Sequence, residues 1–551
     1  MRLGLVFLLS GLLFAQTPPA AQDKCRLEGK VLNTATGQPV RKANVTARGV
    51  VRMTSMPRPG QPYTPPLQPQ FTAVTDSEGR FVFSTLDPGQ YYLDARRDGF
   101  QSENTPAPGA VSAGRRIESI TLDAGGEKRD VVLRLVPLGV LSGHVRDEDG
   151  DPLRNAQVAV MLYQYTARGR ELTQRNGTST NDLGEYRIFD LSPGKYYLKA
   201  TPRGVVNFNS GAQANTDSLA PAFYPGASDP AAAAPLEVRP GEEVRGIDLI
   251  LRRTQTYTVS GRVFKPVGAS NAILPVMVTQ VSSGSRMMSG GGINDSQGNF
   301  QLRLRPGAYE LSVQAMVENK RWSVRRPIQV GASDIEGIEL RPAPPVDVNG
   351  VFRIEGTSKY PLSQPRVVLE SANLGGYGGM GNTREDGSFT LKDVEPGIYR
   401  VSVTAAQDLY VKSVRCGSAD VGEAGIDLAG GGACDLTVTL SSNGGQINGK
   451  IEADEQTVAG GLVVTLVPTG ARRDASLFKT GMMQRDGSFR IQAIAPGAYK
   501  VFAWAGAVNL NAVRYDPEFL KPFESLGQSV QISEGGKETV TLKPILVQPE
   551  K

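Results

Sequence analysis

The sequence predicts an all-β protein made of five tandem antiparallel β-sandwich domains, and three repeated features predict it. Each feature recurs five times: a short apolar strand with a central glycine, a polar turn that ends in glycine before an aromatic residue, and a Pro-Gly turn before a tyrosine. Repetition at a period of about a hundred residues is typical of a chain built from copies of one module. No segment after the first residues shows convincing helical periodicity.

The first feature is a strand whose middle residue is glycine. It occurs at residues 27–31, 141–145, 259–263, 348–352 and 447–451, and the glycines are Gly29, Gly143, Gly261, Gly350 and Gly449. Flanking apolar residues alternate with polar ones, as expected for a strand with one buried face. Each glycine therefore marks the first strand of one module.

The second feature is a polar turn with an aspartate and a glycine. An aspartate carboxylate accepts hydrogen bonds from nearby backbone N–H groups, and glycine adopts positive φ without steric cost. Each turn predicts a hairpin corner followed by a strand that opens with an inward-facing aromatic residue. The aspartates are Asp76, Asp182, Asp295, Asp386 and Asp486, and the aromatic residues are Phe81, Tyr186, Phe300, Phe389 and Phe489.

The third feature is a Pro-Gly turn whose glycine lies two residues before a tyrosine. Proline presets φ at the first corner position and glycine suits the second. The strand that follows alternates with a period of two. The tyrosines are Tyr91, Tyr196, Tyr309, Tyr399 and Tyr499.

Together these features resemble the carboxypeptidase regulatory-like domain, a transthyretin-like and Ig-like sandwich of the carbohydrate-binding-like fold that occurs in tandem in exported bacterial proteins. All five copies carry the pattern, with insertions at residues 57–69 and 208–235 that we interpret as solvated loops. The resemblance implies the fold strongly and a function weakly, because one fold hosts many binding roles. The predicted domains are residues 22–136, 137–253, 254–342, 343–442 and 443–551.

The first residues predict a secretory signal peptide over residues 1–21. One arginine precedes an apolar run of 13 residues, from Leu3 to Ala15, and small residues follow. A membrane span needs about 20 apolar residues. Cleavage after Ala15 or after Ala21 fits the pattern equally, and we expect an exported protein that is periplasmic, on the outer cell surface or secreted.

Composition argues against catalysis and against nucleic acid as a partner. A zinc peptidase needs two histidines, a glutamate and a general base, but His144 is the one histidine of the 551 residues. The 60 basic and 55 acidic residues form no long basic stripe. Residues 147–151 look like a calcium loop, yet Val158 stands where the closing glutamate would fall. We therefore expect no enzyme, no cofactor and no metal.

Two sets of side chains are candidates for special roles. Cys416 and Cys434 flank a glycine-rich segment and would close a disulfide loop worth about 3 kcal/mol, although two separate thiols stay an open alternative. Carbohydrate binding needs exposed planar aromatic rings, and the candidates are Trp504, Trp322, Tyr163 and Tyr165, the last two on one strand face. Burial in a core or at a rim is the competing interpretation for the tryptophans.

The leading functional hypothesis is an exported, non-catalytic interaction and spacer protein, because one module is repeated without a catalytic set. The first alternative is a polysaccharide-binding protein of the cell envelope. The second is an accessory subunit of a peptidase or of an outer-membrane transporter, which rests on where the resembled family occurs. The expected partners are other envelope proteins or a polysaccharide, with no membrane span after signal cleavage.

Overall fold

The computed structural model describes residues 23–50, 68–103, 105, 119–166, 169–202, 217–269, 274–282, 285–292, 295–358, 361, 365–371, 377–421, 425–430, 432, 434–454, 462–469, 475–484, 486–506 and 508–547. The predicted signal peptide lies outside the described residues, as do residues 57–67 and 208–216 of the two predicted insertions. The described part of the second insertion is not the solvated loop that we expected: it forms two short strands and a 3₁₀ helix, and Ala222 and Phe223 are only 6% and 3% exposed because they pack into the hydrophobic clusters of this part of the chain. The chain divides into two compact units, one of Met1–Asn104 with Ile117–Pro137 and one of Thr105–Arg116 with Leu138–Lys551. We call the five predicted domains modules 1 to 5.

Modules 1 and 2 each form two main sheets. The strands of module 1 are β1 (Cys25–Asn33), β2 (Asn44–Gly49), β3 (Gln70–Val74), β4 (Arg80–Leu86), β5 (Gly89–Arg96), β6 (Phe100–Ser102), β7 (Ile120–Leu122) and β8 (Glu127–Pro137), in the orders β4-β1-β8-β6 and β3-β2-β5-β7. Those of module 2 are β9 (Gly139–Asp147), β10 (Gln157–Thr166), β11 (Gly169–Ser179), β12 (Glu185–Leu191), β13 (Gly194–Thr201), β14 (Asp217–Leu219), β15 (Ala222–Phe223), β16 (Leu236–Val238), β17 (Glu243–Val244), β18 (Leu249–Leu251) and β19 (Arg253–Gln255), in the main orders β12-β9-β17 and β11-β10-β13-β15. A short 3₁₀ helix covers Pro230–Ala232.

Modules 3, 4 and 5 repeat the arrangement. Module 3 contains β20 (Tyr257–Val263), β21 (Val276–Ser282), β22 (Ser285–Gly292), β23 (Asn299–Leu304), β24 (Gly307–Val317), β25 (Lys320–Val330) and β26 (Ile335–Leu340). Module 4 contains β27 (Val346–Glu355), β28 (Arg366–Ser371), β29 (Tyr377–Gly381), β30 (Ser388–Val394), β31 (Ile398–Thr404), β32 (Tyr410–Cys416), β33 (Ala419–Asp420), β34 (Ile426–Asp427) and β35 (Leu436–Ser441). Module 5 contains β36 (Gly445–Ile451), β37 (Leu462–Pro468), β38 (Lys479–Met482), β39 (Ser488–Ile494), β40 (Gly497–Ala505), β41 (Gln528–Ile532), β42 (Lys537–Leu542) and β43 (Pro544–Leu546).

The all-β prediction is confirmed, with one difference in strand direction. In every module the first strand pairs in parallel with a strand near the end of that module: β1 with β8, β9 with β17 and β18, β20 with β26, β27 with β35, and β36 with β42. The other strand pairings are antiparallel, except that β43 pairs in parallel with β40. The parallel pair arises because the chain crosses back from the second sheet before its last strand, and a crossover allows two strands to run in the same direction.

A separate hydrophobic cluster lies between the two sheets of each module within the described residues. In module 1, for example, Leu27 and Phe81 of one sheet meet Val45 and Leu93 of the other. Inward-facing residues of paired sheets form such a core. The division into five domains at the predicted limits stays a prediction, since the chain separates into two compact units.

The repeated glycine and the repeated aromatic residue are cross-strand partners. The register pairs Gly29 with Phe81, Gly143 with Tyr186, Gly261 with Phe300, Gly350 with Phe389, and Gly449 with Phe489. A Cβ at Gly350 would come within 2.2 Å of the Phe389 ring, and one at Gly261 within 2.0 Å of the Ile338 carbonyl oxygen. Glycine is therefore required where the first strand is crowded by its partners.

The polar turns form the predicted corners, but in module 2 the capping side chain is a different one. Oδ1 of Asp76 accepts a hydrogen bond from the Arg80 N–H at 2.8 Å. In module 2 this acceptor is Oδ1 of Asn181, bonded to the Glu185 N–H at 2.8 Å, and not the predicted Asp182. An amide oxygen accepts such bonds as a carboxylate does, so the turn keeps its geometry after the exchange.

Each Pro-Gly turn is held by its tyrosine. The hydroxyl donates to a backbone carbonyl four residues upstream, from Tyr91 to Asp87, Tyr196 to Ser192, Tyr399 to Glu395, and Tyr499 to Ala495, at 2.6 to 2.8 Å. Tyr309 bonds the Arg305 backbone in the same way. A tyrosine corner of this kind is a recurrent feature of β-sandwiches. Core packing alone would require only an apolar residue at this position. The hydrogen bond of the hydroxyl explains why the repeated residue is tyrosine.

Module 5 contains short helices that the sequence analysis missed. They are α1 (Leu510–Tyr515), α2 (Pro517–Leu520) and the 3₁₀ helices Ala475–Leu477 and Lys521–Leu526. Asn509 caps α1, and Asp516 ends α1 and caps α2. Helices this short are not stable alone, so packing against the sheet decides their formation. They cover a cluster formed by Val467, Phe502, Trp504, Val508, Val513, Leu520 and Ile545, which we call the outer cluster of module 5.

Candidate functional site

The residue before each Pro-Gly turn contacts the preceding module at two successive junctions. Arg305 of module 3 donates from Nη1 to the carbonyl oxygen of Leu219 in module 2 at 2.7 Å. Glu395 of module 4 accepts from Arg321 of module 3, with 3.1 Å between Nη1 and Oε1, and lies 3.6 Å from Arg325. The side chains of Arg325 and Glu395 are only 19% and 18% exposed. Charged side chains thus fill the junctions between modules 2, 3 and 4.

The matching residue of module 5 is Ala495, and the junction there is an open cleft of about 260 Å³. We call it the 4/5 cleft. It is lined by Tyr410, Val411 and Lys412 of module 4 and by Pro468, Thr469, Leu477, Ala495, Pro496, Gly497, Ala498, Tyr499 and Glu534 of module 5. The methyl group of alanine cannot reach the preceding module as Arg305 and Glu395 do. The cleft is therefore open at the junction where this repeated position carries a small residue.

The 4/5 cleft has an apolar wall and a charged rim. Nζ of Lys412 lies 2.5 Å from Oε2 of Glu355, and both side chains are about half exposed, at 44% and 52%. The hydrogen bond and the charge of Glu355 raise the pKa of Lys412, and the Glu534 charge adds to this. Tyr410 is buried and Thr469 is exposed. An apolar surface with a polar rim is the usual composition of a binding surface for proteins or small ligands.

Sequence reasoning missed the cleft residues. The signal was present in the alignment of the repeats, where Asp87, Ser192, Arg305, Glu395 and Ala495 occupy one position. Four of these residues are polar or charged, and the fifth is alanine. The role of the position became visible only when the structure placed Arg305 and Glu395 against the preceding module.

The acidic residues 147–151 are held by protein groups. Oδ1 of Asp147 accepts from the N–H groups of Asp149 and Asp151 at 3.1 and 2.9 Å. The guanidinium of Arg253 lies 3.1 Å from Glu148 and 2.8 Å from Asp149. Across the described residues, no group of three or more His, Cys, Asp or Glu side chains is placed to hold a metal ion.

His144 lies on β9 beside two carboxylates. Its Nδ1 is 3.2 Å from Oδ1 of Asp248, and its Nε2 is 3.9 Å from Oε1 of Glu185. The same Asp248 oxygen accepts from the His144 backbone N–H at 2.8 Å. Asp248 therefore joins the first strand to the segment that leads into β18.

Trp504 does not face solvent, contrary to the sugar-stacking hypothesis. Its side chain is 0% exposed, and Nε1 donates to Oγ1 of Thr465 at 2.7 Å. One ring face stacks on Phe502 at 5.3 Å, and Phe523 meets the indole edge-on at 5.3 Å. The chain brings aromatic residues of the helices over β40, so the competing interpretation of burial applies. An indole enclosed on all sides has no face for a sugar ring.

The remaining aromatic candidates lie in two other modules. Trp322 is half-buried and packs against the core cluster of module 3. Tyr163 and Tyr165 are both half-buried on one face of β10, as the alternation predicted. The Arg170 guanidinium lies 3.4 Å from the Tyr163 ring centroid, and the Tyr197 ring meets Tyr163 edge-on at 4.9 Å. The structure does not bring the four candidates together into one platform.

The three cysteines have distinct positions. Cys416 and Cys434 form a disulfide across a Cα separation of 5.6 Å. Cys25 is a free thiol and is buried. Its Sγ lies 3.0 Å from the carbonyl oxygen of Asp123. Disulfide formation and thiol burial thus involve different modules.

A buried lysine near the junction of modules 2 and 3 predicts a pH-dependent stability. Lys199 is 7% exposed. Burial and the nearby Arg305 charge lower the pKa of Lys199 from 10.5 to about 8. Between pH 8 and 10.5 the unfolded chain binds more protons at this residue, so the free energy of unfolding rises with pH. From about pH 7.5 to pH 10 we expect a gain of about 2 kcal/mol, which Lys199→Met removes.

Urea unfolding of wild type and Lys199→Met at both pH values tests this. The difference between the two proteins is informative because ionisation of tyrosines affects both equally. Parallel pH profiles would show that the lysine carries no such coupling.

Comparisons with known proteins identify the repeated module. The carboxypeptidase regulatory-like domain matches residues 26–135 and 140–219. No curated protein matches the chain. Solved structures with detectable similarity include the TIE protein of Bacillus anthracis, at 14% identity over 58% of this chain and 51% of that chain with a TM-score of 0.16. A second is the minor pilin GBS52 of Streptococcus agalactiae, at 14% identity over 42% of this chain and 97% of that chain with a TM-score of 0.20. A third is the shaft pilin SpaA of Lactobacillus rhamnosus GG, at 11% identity over 42% of this chain and 98% of that chain with a TM-score of 0.21.

The matched ranges correspond to module 1 and most of module 2. Modules 3 to 5 share three features with modules 1 and 2. These are the cross-strand pair of glycine and aromatic residue, the polar turn whose glycine has a positive φ, and the tyrosine corner. The carboxypeptidase regulatory-like domain is a non-catalytic module. The chain is therefore a tandem β-sandwich protein in which residues 26–135 and 140–219 match the carboxypeptidase regulatory-like domain.

Proposed function

We propose that the chain is an exported, non-enzymatic interaction and spacer protein that binds a protein partner at the 4/5 cleft. The observation that supports this proposal is that the residue before the Pro-Gly turn is charged in modules 3 and 4 but is alanine in module 5. Arg305 and Glu395 fill the earlier junctions, whereas Ala495 accompanies a cleft of about 260 Å³. A spacer needs closed junctions that hold its modules in place, and a binding site needs an open one.

Export is supported by cysteine chemistry and by the first residues of the sequence. A disulfide such as Cys416–Cys434 forms and persists in oxidising compartments. The charged and apolar pattern of residues 1–21 is that of a secretory signal. No helix in the described part of the chain is long and apolar enough to cross a membrane.

The test uses a photo-crosslinking residue in the full chain, produced in its own cells. Placed at Thr469, which is exposed and lines the 4/5 cleft, it should yield a crosslinked protein of one defined mass. Thr539 is an exposed threonine of the same module outside the cleft lining and serves as the matched control. Ala495→Glu copies the residue of module 4 into the cleft and should abolish the Thr469 product without lowering the melting temperature.

Equal crosslinking from Thr469 and Thr539, or a product that survives Ala495→Glu, would contradict binding at the cleft. Retention of the purified chain on an insoluble glycan without any protein crosslink would favour the polysaccharide alternative. Identification of the crosslinked protein as a peptidase or a transporter would give the accessory-subunit alternative its support.

A further inference from the structure

The helix α1 of module 5 contacts strand β10 of module 2, although two complete modules separate them in the sequence. Residues of the two elements approach within 8 Å, measured between Cα atoms. Both modules belong to the same compact unit of the chain. This contact joins the first and the last module of that unit.

The residues of α1 divide between two surfaces. Leu510 and Val513 pack into the outer cluster of module 5. Ala512 is 1% exposed, yet it is not a member of that cluster. Successive residues of a helix point about 100° apart, so Ala512 faces a different direction from Val513.

The side of β10 that faces away from the module 2 core is apolar and covered. Val158 and Val160 point into that core. Ala159, between these two valines in sequence, and Met161, which follows them, lie on the opposite face and are 8% and 2% exposed. They form a second cluster with Leu172 and Phe223. A sheet face in a β-sandwich that turns away from the core is ordinarily polar, and this apolar face is partly covered by Phe223, Ala227 and Ala233 of module 2 itself.

We infer that α1 is a docking element that fastens module 5 to β10 with Ala512 on the side towards module 2, so that modules 2 to 5 unfold as one cooperative unit and module 1 unfolds separately. The inference is independent of partner binding at the 4/5 cleft. Modules joined only through consecutive junctions would instead lose structure stepwise.

The first experiment compares Ala512→Asp with Asn511→Asp in the full chain. Asn511 is exposed on the same turn of α1 and controls for the added charge. Calorimetry of the wild type should show one transition for modules 2 to 5 and another for module 1. Ala512→Asp should split the larger transition and raise hydrogen exchange in β10 about tenfold, whereas Asn511→Asp should do neither. Unchanged exchange in β10 with Ala512→Asp would overturn the inference.

A second experiment does not depend on the stability of the variants. In a Cys25→Ser background, Asn511→Cys with Tyr165→Cys places one thiol on α1 and one on the outer face of β10. A short bismaleimide should link this pair within one chain. The control pair, Asn511→Cys with Arg146→Cys, uses an exposed residue of β9 in the other sheet of module 2 and should not be linked. Equal yields from both pairs, or no link in either, would refute docking of α1 on β10.

Discussion

Trp504→Ala is expected to destabilise module 5 by about 4 kcal/mol, the largest effect of any single substitution proposed for this chain. The indole is 0% exposed and lies among Phe502, Phe519 and Phe523. Its removal leaves a large cavity and also leaves the Oγ1 of Thr465 without the donor that lies at 2.7 Å. The short helices rest on this cluster, so we expect them to unfold before the sheets do.

Thermal unfolding followed by calorimetry, with hydrogen exchange over residues 510–526, measures this effect. Trp322→Ala is the matched control because that tryptophan is half-buried beside the module 3 core, and it should cost less than half as much. A loss below about 1 kcal/mol for Trp504→Ala would mean that the helices do not depend on the indole.

Gly261→Ala is expected to destabilise module 3 by about 3 kcal/mol, because overpacking and lost ladder hydrogen bonds act together. A Cβ at this position would lie 2.0 Å from the carbonyl oxygen of Ile338 and 2.9 Å from its Cα. Both contacts are to backbone, which cannot move aside as a side chain can. Ile338 is the parallel partner of Gly261 in β26, so relief of the clash requires the strand pair to separate.

Gly331→Ala in the same module is the control for this second prediction. A Cβ there meets nothing within 4 Å, and the change should alter the free energy of unfolding by no more than about 0.5 kcal/mol. The midpoints of urea unfolding for the two variants give the comparison. Equal midpoints would show that the central glycine is retained for a reason other than strand packing.

Local sequence signals predicted the module well because each signal acts over a few residues or repeats five times. The central glycines, the aspartate turns and the tyrosines lie where the pattern placed them. In the turn of module 2 the capping side chain is Asn181 and not the predicted Asp182. The sequence could not distinguish these neighbours, because both residue types suit a turn and only the hydrogen bonds show which one caps it. The short helices were missed because six residues are too few to show a helical period.

The candidate site was predicted less well than the fold. The sequence identified aromatic side chains as candidates from residue type alone, and Trp504 proved to be buried under helices that follow it in the chain. It identified an acidic loop, and the structure supplied Arg253 as the cation beside it, about a hundred residues later in the chain. The 4/5 cleft depends on which residue of one module meets the next, and no local pattern contains that information.

By itself the sequence determined the class of the protein: a tandem all-β chain in which glycine, aspartate and tyrosine recur for local steric and hydrogen-bonding reasons. Tertiary structure alone decided the burial of Trp504, the closed junctions at Arg305 and Glu395, the open one at Ala495, and the contact of α1 with β10. The physical reason is one of range. Turn geometry and strand alternation depend on neighbours in the chain, whereas burial and junction contacts depend on residues brought together from different modules.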